Sequence, residues 1–193
     1  GPIQTSDTYS VGAVPGSGTS VIVGASGTQT VFFEDLAPVL DLVPVASLTV
    51  NATPAENAIN YKQGSGAANG LVTIDNFEPI EFSNKASLVI NALQGSDVVN
   101  LDNSATPTSL ASITVNGNEG DDTVTSLSGI ALVVNMNGSV GNDVLNSSGN
   151  TGGGTLTGGD GADTLIGSAG DDVLDGGAGD DLLDGRGGSN TLV

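Results

Sequence analysis

The sequence predicts an all-β protein, a right-handed parallel β-helix or β-roll solenoid with glycine- and aspartate-rich turns. Three observations carry this expectation. Short alternating stretches of Val, Leu and Ile recur at fixed offsets, and repetition at periods of about 20 to 40 residues is the mark of a stacked architecture. No stretch keeps an apolar period of 3.6, so nothing in the chain reads as an amphipathic helix. Finally, the 193 residues include 30 glycines but only 3% aromatics. Such small side chains cannot fill a wide globular core, whereas two thin sheets need only two layers of them.

Taken in order, residues 1–30 form an N-terminal β segment or cap. Gly1-Pro2 reads as the scar of a cleaved tag and is set aside. Val21–Val23 and Thr30–Phe33 read as strands between Gly/Ser turns. Whether they make a capping rung or a separate β element stays open. Gly12 to Gly18 lacks a dinucleotide fingerprint and reads as a turn.

Residues 31–110 carry degenerate repeats of roughly 40 residues. Val31–Tyr61 aligns with Val72–Leu101 at an offset of 41 that falls to 40 after one gap. Phe33 then meets Ile74, Leu36 meets Phe77, Pro38 meets Pro79, Leu48 meets Leu88 and Asn51 meets Asn91. Asn116 continues that last position, which predicts a stacked asparagine ladder in the turn. Within 111–193 the unit shortens. Segments beginning at Ile113, Val134 and Gly154 follow at intervals of 25, 21 and 20 residues after Leu88. From Gly158 the unit is a nonapeptide, GGDGADTLI, GSAGDDVLD, GGAGDDLLD and GRGGSNTLV. Spacings of 18 to 25 residues per turn imply about eight or nine turns and a stack on the order of 40 Å long.

The nonapeptides match G-G-x-G-x-D-x-U-x, and on them the chain resembles the RTX family of calcium-binding repeats. Looser units at 117–125 and 138–146 extend the likeness upstream. The residues support it chemically. Glycine at the first, second and fourth positions permits tight turns with positive φ. Such turns leave carbonyls inward, and the aspartate adds a carboxylate, an all-oxygen set suited to Ca²⁺ over Zn²⁺ or Cu²⁺. The U residues Leu165, Leu174, Leu183 and Leu192 are expected in the core.

The resemblance implies calcium held between loops one turn apart, with Asp163 over Asp181 on one edge and Asp172 facing Asn190 on the other. Spacing extends the first column to Asp143, Asp122 and Asp97. The candidate metal positions are therefore Asp97; Gly117, Glu119, Asp121 and Asp122; Gly138, Val140, Asn142 and Asp143; Gly158, Asp160, Ala162 and Asp163. They continue through Gly167, Ala169, Asp171 and Asp172, then Gly176, Ala178, Asp180 and Asp181, and end at Asn190, a neutral ligand. The Asp97 loop has lost two of its three glycines, and Gly154 stands where the opposite edge lacks an aspartate. Carboxylates stacked ~5 Å apart repel by roughly 3 kcal/mol per neighbour at an effective dielectric of 20. Calcium at ten times its dissociation constant returns about 1.4 kcal/mol per site. Residues from 111 onward are thus expected to fold only with calcium.

Charge excludes other functions. With 22 acidic and three basic residues, the net charge of −19 leaves no footprint for nucleic acid. The absence of His and Cys rules out a Ser-His-Asp triad, a thiol nucleophile and the usual zinc site. No apolar run of about eighteen residues is present, so no membrane insertion is expected. The paired carboxylates Asp121-Asp122, Asp171-Asp172 and Asp180-Asp181 fall in the repeat, and adjacent strand residues face opposite ways, which argues against acid/base catalysis. The EF-hand pattern fails at Asp180, and the sequons at Asn51, Asn137 and Asn146 read as chance. The expected role is a calcium-dependent, non-catalytic structural or adhesive segment of a large secreted or cell-surface bacterial protein, of adhesin or surface-layer type. RTX segments are commonly exported by type I secretion. The alternatives are a folding module of an exoenzyme, or a module that binds cell-surface glycan through calcium. Self-association through open strand edges is a further expectation.

Overall fold

The computed structural model describes residues 4–24, 27–34, 39–127 and 129–193. Gly1-Pro2, expected to be a tag scar, and the expected Leu36–Phe77 and Pro38–Pro79 matches involve residues outside that set. Among the described residues there are strands and no helix.

In chain order, β1 (Gln4–Val11), β2 (Ser17–Gly24) and β3 (Gly27–Glu34) form an antiparallel meander. β4 (Val39–Asp41), β5 (Val45–Asn51), β6 (Ala58–Gln63), β7 (Gly70–Ile74) and β8 (Ile80–Phe82) follow. Next come β9 (Lys85–Gln94), β10 (Val98–Asp102), β11 (Ser112–Glu119), β12 (Thr123–Ser126), β13 (Val133–Val140) and β14 (Val144–Asn146). The chain closes with β15 (Gly154–Asp160), β16 (Thr164–Ile166), β17 (Asp172–Ala178), β18 (Leu182–Asp184) and β19 (Thr191–Leu192).

From β9 onward consecutive strands alternate between two sheets. The first sheet runs β19-β17-β15-β13-β11-β9-β5-β1-β2-β3, and the second β18-β16-β14-β12-β10-β6-β7-β8-β4. Neighbours are parallel from β1 through β19 in the first sheet and from β6 through β18 in the second. β1 lays itself parallel on β5, and the meander continues the first sheet beyond it. The chain departs from simple stacking at β6-β7-β8, which pair antiparallel. The offset that sets Phe33 against Ile74 therefore does not describe neighbours, since β3 pairs with β2 while β7 pairs with β6 and β8.

Period-two alternation sends every second side chain inward. In the first sheet Val50, Ile90, Val115, Met136, Leu156 and Leu174 lie in register and are buried. Ile59, Val99, Val124, Leu145 and Leu165 make the matching column in the second sheet. The two columns meet in one continuous core. Leu165 and Leu174 stand in it as expected, and Leu183 packs against it partly buried. Leu192 does not, being 54% exposed on the last strand of the first sheet, where no further strand lies over it.

The asparagine ladder forms, but inside the strands rather than in a turn. Asn116 donates to Asn91 at 2.8 Å and Asn91 to Asn51 at 2.7 Å. Asn91 spends its donor on one neighbour and its acceptor on the other, and Asn51 passes its own donor on to Ser10 Oγ at 3.1 Å.

Candidate metal centre

From β9 onward each link from the first sheet to the second is three residues long and ends on the aspartate that the repeat places sixth. One column results. The Asp97 amide donates to Asp122 Oδ1 at 2.8 Å, Asp122 to Asp143 at 2.8 Å, Asp143 to Asp163 at 2.8 Å, and Asp163 to Asp181 at 2.9 Å. The column begins one level earlier than the sequence predicted, where the Asn57 amide donates to Asp97 Oδ1 at 2.6 Å. Asn57 sits 40 residues before Asp97, the offset that also relates Asn51 to Asn91, so that signal was present. Its own side chain is held by Asp75 Oδ2 at 2.8 Å.

Only one oxygen of each carboxylate is used in this way. The Oδ2 atoms of Asp97, Asp122, Asp143 and Asp163 are buried and have no hydrogen-bond partner. A buried acceptor with nothing to accept from is costly, and here the cost recurs at four successive levels. Glycine makes the arrangement sterically possible. A Cβ on Gly117, Gly138, Gly158 or Gly176 would collide with Oδ2 of the aspartate five residues later. At Gly158 it would also crowd the Gly176 carbonyl of the next level, at 2.5 Å. Carboxylate and carbonyl oxygens thus gather in a space kept open by the absence of side chains. Ala92 replaces the glycine at the Asp97 level.

Burial dominates the electrostatics. It pushes the Asp97 carboxyl up to about 7, with Asp122, Asp75 and Glu56 adding repulsion. Asp143 is pushed up to about 6 by burial, with Asp122 and Asp163 contributing. Asp122 and Asp163 are raised for the same leading reason, and the backbone donor at each level opposes the rise. Protons, or a cation, must supply the positive charge that the protein withholds.

The remaining candidates are arranged around this column. The carbonyls of Glu119, Val140, Asp160 and Ala178 accept from the amides of Gly95, Gly120, Gly141 and Gly161 at 2.8 to 2.9 Å, which knits the levels together. Asp121 and Asn142 face solvent and form an outer ladder, in which Asp121 Oδ1 takes the Asn142 amide at 2.7 Å and Asn142 Oδ1 takes the Ala162 amide at 3.0 Å. The side chain of Asp180 is exposed. Each paired carboxylate is therefore split, one inward and one outward.

The opposite edge is built differently. Asp172 receives the Ser168 amide on Oδ2 at 2.7 Å and the Ser168 hydroxyl at 3.0 Å. Its own amide donates to Asn190 Oδ1 at 2.9 Å. Asn190 Nδ2 donates to the carbonyls of Gly185 and Gly187 at 2.6 and 2.7 Å, and Asn150 Nδ2 to Leu132 at 3.1 Å. Asn190 thus brings an N–H, not a free oxygen, to the carbonyls of its loop. Gly167 is buried beneath Asp172, while Ala169 is exposed and Asp171 accepts the Ser189 amide at 2.7 Å. Ser168 and Asn150 were not singled out in the sequence, because neither occupies a constant position of the repeat.

The orphaned Oδ2 atoms, the glycine-lined space and the all-oxygen donors fit a hard cation along the first edge. Among the described residues no three acidic, His or Cys side chains converge. A cation there would rest on one or two carboxylates and on backbone carbonyls, as the Gly-rich turns require. Comparison with protein families agrees: the model of the RTX calcium-binding nonapeptide repeat matches in four copies, over residues 114–130 and 157–192. Comparisons with curated proteins and with solved structures return no match.

Proposed function

We propose, from the premise that this chain carries RTX repeats and that such repeats bind several calcium ions, that it is a calcium-stabilised, non-catalytic structural segment of a large secreted or cell-surface bacterial protein. In this reading the two sheets are the walls of a right-handed coil, and the Asp97–Asp181 edge is its calcium edge. Bound calcium supplies the positive charge that the stacked carboxylates lack. The chain's own residues do the rest: glycines keep the space open, carboxylates point one oxygen at it, and amides of the preceding level hold the other oxygen fixed.

The observation that carries the proposal is the run of buried, partnerless Oδ2 atoms, one above another. A merely solubilising turn would leave its carboxylates in water. The splitting of each Asp-Asp pair supports a non-catalytic role, since the two carboxylates of a pair face opposite ways. The test is a calcium titration of chelated protein followed by far-UV circular dichroism, with magnesium as control. A cooperative gain of β signal with calcium alone is expected. Full β structure in chelator, unchanged by calcium, would sink the proposal.

A further inference from the structure

At the other end of the stack, away from the aspartate column, lies a second buried cluster. Lys85, the first residue of β9, is wholly buried at 0% exposure, and its Nζ lies 2.7 Å from Asp41 Oδ2. Asp41, the last residue of β4, is 7% exposed. Asp7 on β1 is 2% exposed and lines the same pocket as Asp41, while the Ser20 hydroxyl donates to its Oδ1 at 2.9 Å. Three strands distant in sequence therefore bring one amine and two carboxyls together out of water.

We propose that Lys85 and Asp41 condense into an intramolecular isopeptide bond, with Asp7 as the acid that assists. A single residue, Val43, holds both reactants. Its carbonyl accepts from Lys85 Nζ, and its amide donates to Asp41 Oδ1 at 3.0 Å. The carboxyl carbon lies one covalent bond beyond the oxygen that Nζ already touches, and two groups fixed at this range react as if at very high concentration. The Val43 amide is also placed to stabilise negative charge developing on Oδ1. Condensation removes a buried ion pair, whose desolvation the apolar surroundings Ile22, Val39 and Leu40 make costly.

The step balances without a co-reactant. A proton passes from the ammonium of Lys85 to the Asp41 carboxylate, leaving amine and carboxylic acid. The amine attacks Cγ, forming the C–N bond, and Asp7 gives its proton to the oxygen that gains charge. Asp7 then takes a proton from the new C–N nitrogen and delivers it to a hydroxyl on Cγ. That C–O bond breaks, one carboxyl oxygen leaves as water, and loss of the last proton to Asp7 restores its acid. Burial pushes the Asp7 carboxyl up to about 6, which keeps protons available to it near neutrality.

The bond is read directly from mass. The intact folded protein should be lighter than its sequence by one water. Trypsin has three sites, Lys62, Lys85 and Arg186. In the denatured linked protein it should cut after Lys62 and Arg186 but not after Lys85, leaving 1–62 joined to 63–186. Lys85→Arg should restore full mass, and Asp7→Asn should leave the pair unlinked for far longer in an otherwise folded protein. A folded protein of full mass that is cleaved after Lys85 overturns the proposal. So does a loss of water without linkage, as a succinimide at Asp175-Gly176 would give. Linkage at an undiminished rate in Asp7→Asn would overturn the role of Asp7.

Discussion

At the residue scale, the column turns on a pairing of glycine and carboxylate five positions apart. Gly138 has no positive φ, and an alanine Cβ there would press on Oδ2, Cγ and Cβ of Asp143. Gly138→Ala should therefore cost roughly 1–3 kcal/mol in the calcium-loaded protein, as urea unfolding would reveal. Gly161 is different. Its φ is +147°, and a Cβ would strike the Gly141 carbonyl, which belongs to the backbone. Gly161→Ala should cost more in the same measurement, about 2–4 kcal/mol. Asp143→Asn separates charge from shape: it should raise the β signal of the chelated protein at neutral pH, where the raised carboxyl is a liability, and weaken calcium binding. Calorimetric titration beside far-UV circular dichroism would show both signs.

At the element scale, the stack depends on the three-residue strands β14, β16 and β18 of the second sheet, each contributing one inward side chain. Leu145 on β14 is 0% exposed, whereas Leu182 on β18 is 65% exposed. Leu145→Ala should cost about 2–5 kcal/mol by chemical denaturation, and Leu182→Ala about 0.5 kcal/mol or less. Much of this was legible in the sequence. Register between Leu88, Ile113 and Val134 could be read from their offsets, because a parallel stack keeps identical residues over one another. The β6-β7-β8 hairpin could not. Its turn is organised by Glu81, whose Oε1 takes Ser65 Oγ and Asn69 Nδ2, both at 2.6 Å, and nothing local to residues 64–69 names Glu81 as their partner. The cluster of Asp7, Asp41 and Lys85 was hidden for the same reason. It exists only because β8 places β4 at the rim of the second sheet, and in the sequence Lys85 is simply one of three basic residues.

At the scale of the whole molecule, a net charge of −19 and a file of buried carboxyls make stability depend on what neutralises them. The sign follows from linkage. Asp97 and Asp143 are raised from 3.8 to about 7 and about 6 on folding, so the folded chain holds more protons than the unfolded one between those values. Their contribution is fully present below the unfolded value and is lost as pH rises through the folded ones. Chelated protein should melt at a higher temperature at pH 5 than at pH 8, the opposite of a protein held by ordinary salt bridges. With saturating calcium the difference should shrink or invert, because the cation replaces the protons. Thermal melts at both pH values, with and without calcium, test this directly.

The hydrogen bonds along the aspartate column all run one way, each level's amide reaching to the carboxylate of the level after it. Every junction is therefore the same plug and socket. A level spanning 143–162 could be removed, and Asp163 would present to the Asp122 amide the same carboxylate that Asp143 now presents. Reach then becomes a heritable dial turned in whole steps: duplication or loss of one unit lengthens or shortens the protein by a single strand spacing, without new interfaces to be invented.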